Sequence, residues 1–315
     1  MFKACSLLLT KAIWKITVLS TTLITALAIS AVCHAHHDKD TVNKSIWTEP
    51  YKSYWYSGQA ELSSYRLKQA RYGEIHEGTA VLVYVTEPVN PQTQIKADDY
   101  NAPDNIPVLK LNTTRKFNTG LYPYSMMTSV FFPVESRDHA LKITASTQEW
   151  CGQVFTQLNY REQFEISAYS YFESEGDFSV VLPANHLENE IWTKLRIDPS
   201  ALPQGNIQML PSFEYLRLRH QPVKAYAAKA KLDEKSEEYV YTLEYQDLDR
   251  KVSIRFERAF PHKVLAWEEQ YTSGFGKDAK PMTTSATLIN TINTDYWNKK
   301  RNVDRMMREQ LGLEQ

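Results

Sequence analysis

The chain has 315 residues, and its 36 Lys and Arg against 37 Asp and Glu leave a formal charge of −1, which provides no basic excess for a phosphate backbone and excludes nucleic acid as a partner. Only 10 glycines occur, well below the usual 7 % or so, so glycine-rich phosphate cradles are excluded too. Aromatic residues make up 12 %, with 19 tyrosines, a composition suited to strands.

The chain opens with a basic segment, Lys3, Lys11 and Lys15, followed by residues 16–37 without a single Lys, Arg, Asp or Glu. Leu19, Leu23, Ile24, Leu27 and Ile29 make this stretch apolar, and Ala31, Cys33 and Ala35 are small residues of the kind a signal peptidase accepts. Residues 1–35 are therefore expected to be a signal peptide cut after Ala35. Two other fates stay open. About 20 residues can just cross a bilayer as a retained anchor, and Ser30-Ala31-Val32-Cys33 would be a lipobox with Cys33 lipidated, although Val32 is larger than the residue usually found there. All three export the rest of the chain, to the periplasm or to an envelope site at the outer membrane.

Without its leader the chain would lose three lysines and carry a charge of about −4. Cys151 would be its only certain cysteine, which rules out a disulfide scaffold. A body of about 280 residues can bury enough apolar surface without one. Residues 36–50 read as a flexible tether, and residues 51–315 as a single β-rich domain. His36 and His37, beside Asp38 and Asp40, offer metal-binding groups, but mobile terminal sets of this kind arise by accident; no metal or other cofactor is expected.

Residues 59–72 and 79–86 predict two paired strands, the second ended by Glu87-Pro88. The stretch 89–107, rich in Pro, Asp and Asn, predicts a long loop. Strands are expected again over 107–117, 122–134, 140–158 and 164–172. The spacing of Leu187, Ile191 and Leu195 predicts a helix over 185–196 with Asn185 as its N-cap. A meander follows over 226–232, 239–245, 252–256, 264–272 and 283–292, and residues 302–311 predict a closing amphipathic helix that buries Val303, Met306, Met307 and Leu311. The sum is an all-β, mainly antiparallel fold: a large curved sheet, from half-barrel to closed barrel, with one or two accessory helices.

The sequence has no G-x-S-x-G, S-x-x-K or H-E-x-x-H signature. Cys151, between Trp150 and Gly152, is the one nameable catalytic candidate; as a nucleophile it needs a basic neighbour to hold the thiolate, and as a small hydrophobe it needs none. His186 and Glu190, four apart on a helix, have metal-ligand spacing but no third ligand, and read as a solvated face. Tyr122, Tyr124, Met126 and Met127, together with Trp150, are candidates to line a groove for an apolar ligand, and Tyr51, Tyr54, Trp55 and Tyr56 form a second aromatic cluster.

The segments Gly58-Gln59-Ala60-Glu61-Leu62, Arg71-Tyr72-Gly73-Glu74, residues 116–127 (KFNTGLYPYSMM) and residues 147–152 (TQEWCG) carry a resemblance. Across nearly all of the mature chain the sequence resembles a family of secreted or lipid-anchored bacterial envelope proteins, some of whose members bear the label septum formation inhibitor Maf. The Ser-x-Arg-Arg phosphate loop of Maf pyrophosphatases is absent, so the resemblance implies an envelope setting and no catalytic residue. The leading expectation is non-catalytic binding of an apolar ligand, a lipid or an envelope partner, with membrane association. The alternatives are a thiol-dependent enzyme or hydrolase built on Cys151, and a structural envelope component. Nothing in the sequence sets the oligomeric state.

Overall fold

The computed structural model describes residues 48–136 and 138–313. The expected leader, Cys33, the His36-His37 pair and most of the expected tether lie outside these residues.

The chain first forms a short helix, α1 (Glu49–Trp55), capped by Thr48, which sets Tyr51 and Trp55 into the core. Nine strands follow: β1 (Ala60–Arg71), β2 (Glu74–Asn90), β3 (Ile95–Lys96), β4 (Ile106–Thr119), β5 (Tyr122–Pro133), β6 (Lys142–Glu149), β7 (Gly152–Arg161), β8 (Gln163–Tyr169) and β9 (Phe178–Leu182). A two-residue strand, β10 (His186–Leu187), leads into α2 (Glu188–Ile197), then β11 (Gly205–Leu210) and α3 (Phe213–Arg219). The expected meander is present as β12 (Tyr226–Glu234), β13 (Glu238–Tyr245), β14 (Arg250–Glu257), β15 (Val264–Ser273) and β16 (Lys280–Thr294), before α4 (Met306–Gln310).

One sheet contains every strand, in the order β10-β11-β12-β13-β14-β15-β16-β1-β2-β4-β5-β6-β7-β8-β9, with β3 hooked onto the end of β2. All pairings are antiparallel except β10 with β11. The sheet is open, but only three residues separate the last residue of edge strand β9 from the first of edge strand β10. Four peptide links span at most about 14 Å. A sheet of this many strands can bring its two edges that close only by curling round, so the fold is an open barrel with a seam between β9 and the β10–β11 edge.

The inward set is the one that the alternation selects: Leu82 and Tyr84, Leu109 and Leu111, Val130 and Phe132, Tyr241, Leu243 and Tyr245, Ile254 and Phe256 are all buried. The space they enclose is filled by α2. Nine of its ten residues are buried, charged ones included, and the Tyr84 hydroxyl donates to the carbonyl of Trp192. Two ion-pair sets and one hydrogen-bonded carboxylate bind this plug to the wall. Arg196 donates two bonds to Glu61 of β1 (2.8 and 2.6 Å); Glu188 receives Arg250 of β14, which also reaches Glu269; and Glu190 accepts from the Ala140 amide (2.9 Å) and contacts His139 and Lys194. The reading of His186 and Glu190 as a solvated face is thus corrected: Glu190 is fully buried and serves as an anchor.

Several expected boundaries also shift. Asn185 does not cap α2, because residues 186–187 are spent on pairing with Met209 and Leu210. Pro88 does not end β2. It lies beyond the reach of β1, whose pairing stops at Tyr84, and its carbonyl still accepts from the Ala97 amide although it has no N–H to return that bond. The expected strand over 140–158 is a hairpin, turned at Trp150-Cys151 with the Cys151 amide donating to Glu149 (2.7 Å). In the closing segment Val303 and Met306 are exposed and only Leu311 is buried.

Candidate functional site

Strand polarity gathers the β1–β2, β4–β5, β6–β7, β8–β9, β13–β14 and β15–β16 connections at one end of the barrel, the rim. α3 lies at this end. Ser212 caps it, accepting from the Tyr215 amide, and Phe213 and Leu216 are buried. Its C-terminus is tied to the rim from three sides: Arg71 donates to the Leu218 carbonyl, Arg219 donates to the Gly274 carbonyl (3.3 Å), and His220 bonds Glu175.

Between α3 with residues 221–223 and the rim end of β7–β9 is a crevice of about 270 Å³. Val154, Ala168, Phe178, Phe213, Leu216 and Val223 give it apolar walls, and Arg217 is its buried cation. Arg217 is 9 % exposed, and its Nε and Nη1 have no hydrogen-bond partner among the described residues. Its Nη2 stands 4.0 Å from a Glu149 oxygen, and its guanidinium lies 4.5 Å from the centre of the Phe172 ring. Burial pushes the pKa of this guanidinium below its ordinary value. Behind it sits Arg71, 5 % exposed, which donates to the Tyr72 and Tyr124 hydroxyls (3.1 and 3.2 Å) and stacks on the Tyr72 ring. Arg71 forms no ion pair with any described carboxylate.

No family model and no curated protein matches the chain. A crystal structure of a β-barrel-like protein of the domain of unknown function DUF1849 from Brucella abortus matches 75 % of this chain and 97 % of that one, at 7 % identity and a TM-score of 0.45. That likeness carries no function here.

The residues proposed from the sequence divide by strand parity. Tyr124 and Met126 point inward and are buried, Tyr122 is half-buried at the rim with its hydroxyl on that of Tyr72 (3.1 Å), and Met127 is on the outer face, 42 % exposed. Residues 122–127 therefore do not line one groove. Trp150 is 68 % exposed at a hairpin tip, with its ring 6.5 Å from that of Tyr122. Cys151 is exposed beside it, and the hydrogen bond to Glu149 raises its thiol pKa, the opposite of what prepares a nucleophile.

The concave face of the sheet is filled by α2. The interior chamber that remains, among Arg115, Glu188, Asn189, Glu214 and Trp267, measures about 10 Å³, room for one water. An apolar-walled crevice with a buried cation is open at the seam. Arg71, Arg217 and the whole of α3 escaped the sequence reading, although an arginine between Leu216 and Leu218 was a signal that could have been weighed.

Proposed function

We propose that this is an exported, non-catalytic envelope protein that binds the apolar chain of a lipid or similar ligand in the seam crevice. The observation that carries the reading is the crevice itself: about 270 Å³, walled by aliphatic and aromatic side chains, with one buried cation, at the open edge of an otherwise filled barrel. Sites for small apolar ligands have this character, an apolar lining with a few placed polar groups. Leu121, Trp150, Tyr171 and Phe275 stand exposed on neighbouring tips of the same rim, an amphipathic surface from which a chain could pass between a lipid layer and the crevice. A thiol-dependent activity has the weaker support, because Glu149 disfavours the Cys151 thiolate.

The test is native mass spectrometry of the protein purified from its own envelope, followed by titration of the delipidated protein with a fluorescent fatty acyl probe. A co-purifying lipid-sized adduct is expected, together with saturable binding that Ala168→Trp abolishes by filling the crevice. A clean apo mass with no saturable binding would overturn the reading, as would probe binding to Ala168→Trp at wild-type affinity.

A further inference from the structure

Arg217 differs from the other deeply buried arginines of this protein. Arg196 meets Glu61 with two bonds, Arg250 meets Glu188 and Glu269, and Arg115 lies 2.8 Å from Glu269. The Nε atoms of Arg115 and Arg250 lack partners too, but their terminal nitrogens are on carboxylates. Among the described residues Arg217 has both Nε and Nη1 unbonded, and its carboxylate contact, to Glu149, is at the 4.0 Å limit. A guanidinium that is nine-tenths out of water with two free donors is costly unless something completes its shell.

The surrounding charge points the same way. Arg71 and Arg217 are both buried here, and Arg71 donates to a carbonyl and two phenols, with its own Nε unbonded among the described residues, which leaves its charge unneutralised. The two nearby carboxylates are otherwise engaged: Glu149 holds the Cys151 amide, and Glu175 accepts from Ser170 and pairs with His220. The free donors belong to a residue that lines the apolar crevice, so an acceptor that reaches them comes through that space, drawing the guanidinium toward it.

We infer that the crevice selects amphiphiles with an anionic head, a carboxylate or a phosphate, which accepts hydrogen bonds from Nε and Nη1 of Arg217 while Arg71 supplies long-range positive charge behind it. This rests on the crevice reading above. The fork geometry of guanidinium suits two oxygens of either head.

The experiment titrates delipidated full-length mature protein, by calorimetry below the micellar range, with four ligands of one chain length: dodecanoate, dodecyl phosphate, dodecanol and dodecyltrimethylammonium. The expected result is that at least one anion binds about 10- to 100-fold more tightly than dodecanol, the cation more weakly still, and that Arg217→Gln erases the difference while Arg217→Lys keeps part of it. Comparing the two anions tells a fatty-acid carboxylate from a phospholipid-type phosphate. Equal binding of dodecanol and both anions would overturn the head-group inference and leave apolar binding standing. No binding of any ligand would overturn both. An anion preference that survives Arg217→Gln would overturn the assignment to Arg217. If Arg217→Gln does not fold, Arg217→Lys decides: its preference for the anion over dodecanol must be smaller than that of the wild type, and an undiminished preference would sink the inference.

Discussion

Replacing Arg196 by Met tests the idea that α2 is held in the barrel by buried charge. Arg196 is fully buried, donates 2.8 and 2.6 Å bonds to Glu61 and a 2.7 Å bond to the Pro261 carbonyl, and lies against the rings of Tyr84 and Trp55. Met restores much of the volume but leaves Glu61, 1 % exposed, with only the Tyr54 and Ser63 hydroxyls. Removing one member of such a pair costs about 3–5 kcal/mol. Against a typical total of about 5–15 kcal/mol, that is a large fraction of the stability. The deficit depends on pH. Burial alone would raise the Glu61 pKa, but Arg196 holds it below the ordinary carboxylate range in the native state. The wild-type pair therefore contributes stability at neutral pH, which is lost as pH falls through that depressed value. Without Arg196, burial wins and the Glu61 pKa rises above the unfolded value, so the mutant's penalty is greatest at neutral pH and shrinks on acidification into the carboxylate range. Urea titrations followed by circular dichroism at several pH values measure this, and Arg196→Met with Glu61→Gln should recover most of the loss at pH 7. A single mutant within about 1 kcal/mol of wild type at pH 7 would refute the reasoning, and so would a deficit that ignores pH.

Gly78→Ala should destabilise by about 1–3 kcal/mol, since a Cβ there would lie 2.2 Å from the Lys116 carbonyl oxygen and 2.8 Å from the Phe117 Cβ; an unchanged urea midpoint would count against this packing of β2 on β4. Cys151 should react with maleimide in the folded protein, more slowly near neutral pH than an unhindered thiol and faster as pH climbs, because its hydrogen bond to Glu149 raises its pKa. Glu149→Gln should speed that reaction at pH 7, and an unaltered rate would show that the carboxylate does not govern the thiol.

The strand architecture was legible where one face meets the core and the other meets water. The meander from Tyr226 to Ile292 was read strand for strand because Tyr241, Leu243 and Tyr245, or Val252, Ile254 and Phe256, recur with a period of two. The helix around Ile191 and Leu195 was also found, but its surroundings were misread: amphipathic patterning assumes that polar residues face solvent, whereas Glu188 and Arg196 are neutralised by residues far away in the chain, Arg250 and Glu61, and Glu190 and Lys194 pair with each other while buried. Partners separated by 135 residues leave no local signal. α3 was hidden for a simpler reason. At seven residues it is too short for helical periodicity to stand out from the alternation on either side.

The same misreading moved the candidate site. An amphipathic α2 would have lain across the barrel and left the concave face for a ligand. A helix buried all round closes that space and commits two ion-pair sets, Arg196 with Glu61 and Glu188 with Arg250, to holding it closed. Admitting a chain to the barrel interior would mean withdrawing these charges together, each at a cost of several kcal/mol. The seam makes no such demand. Its walls are α3 and the β7–β9 edge, where one buried arginine keeps two donors free. On energetic grounds the barrel is the scaffold, and binding belongs at the edge that its sheet does not close.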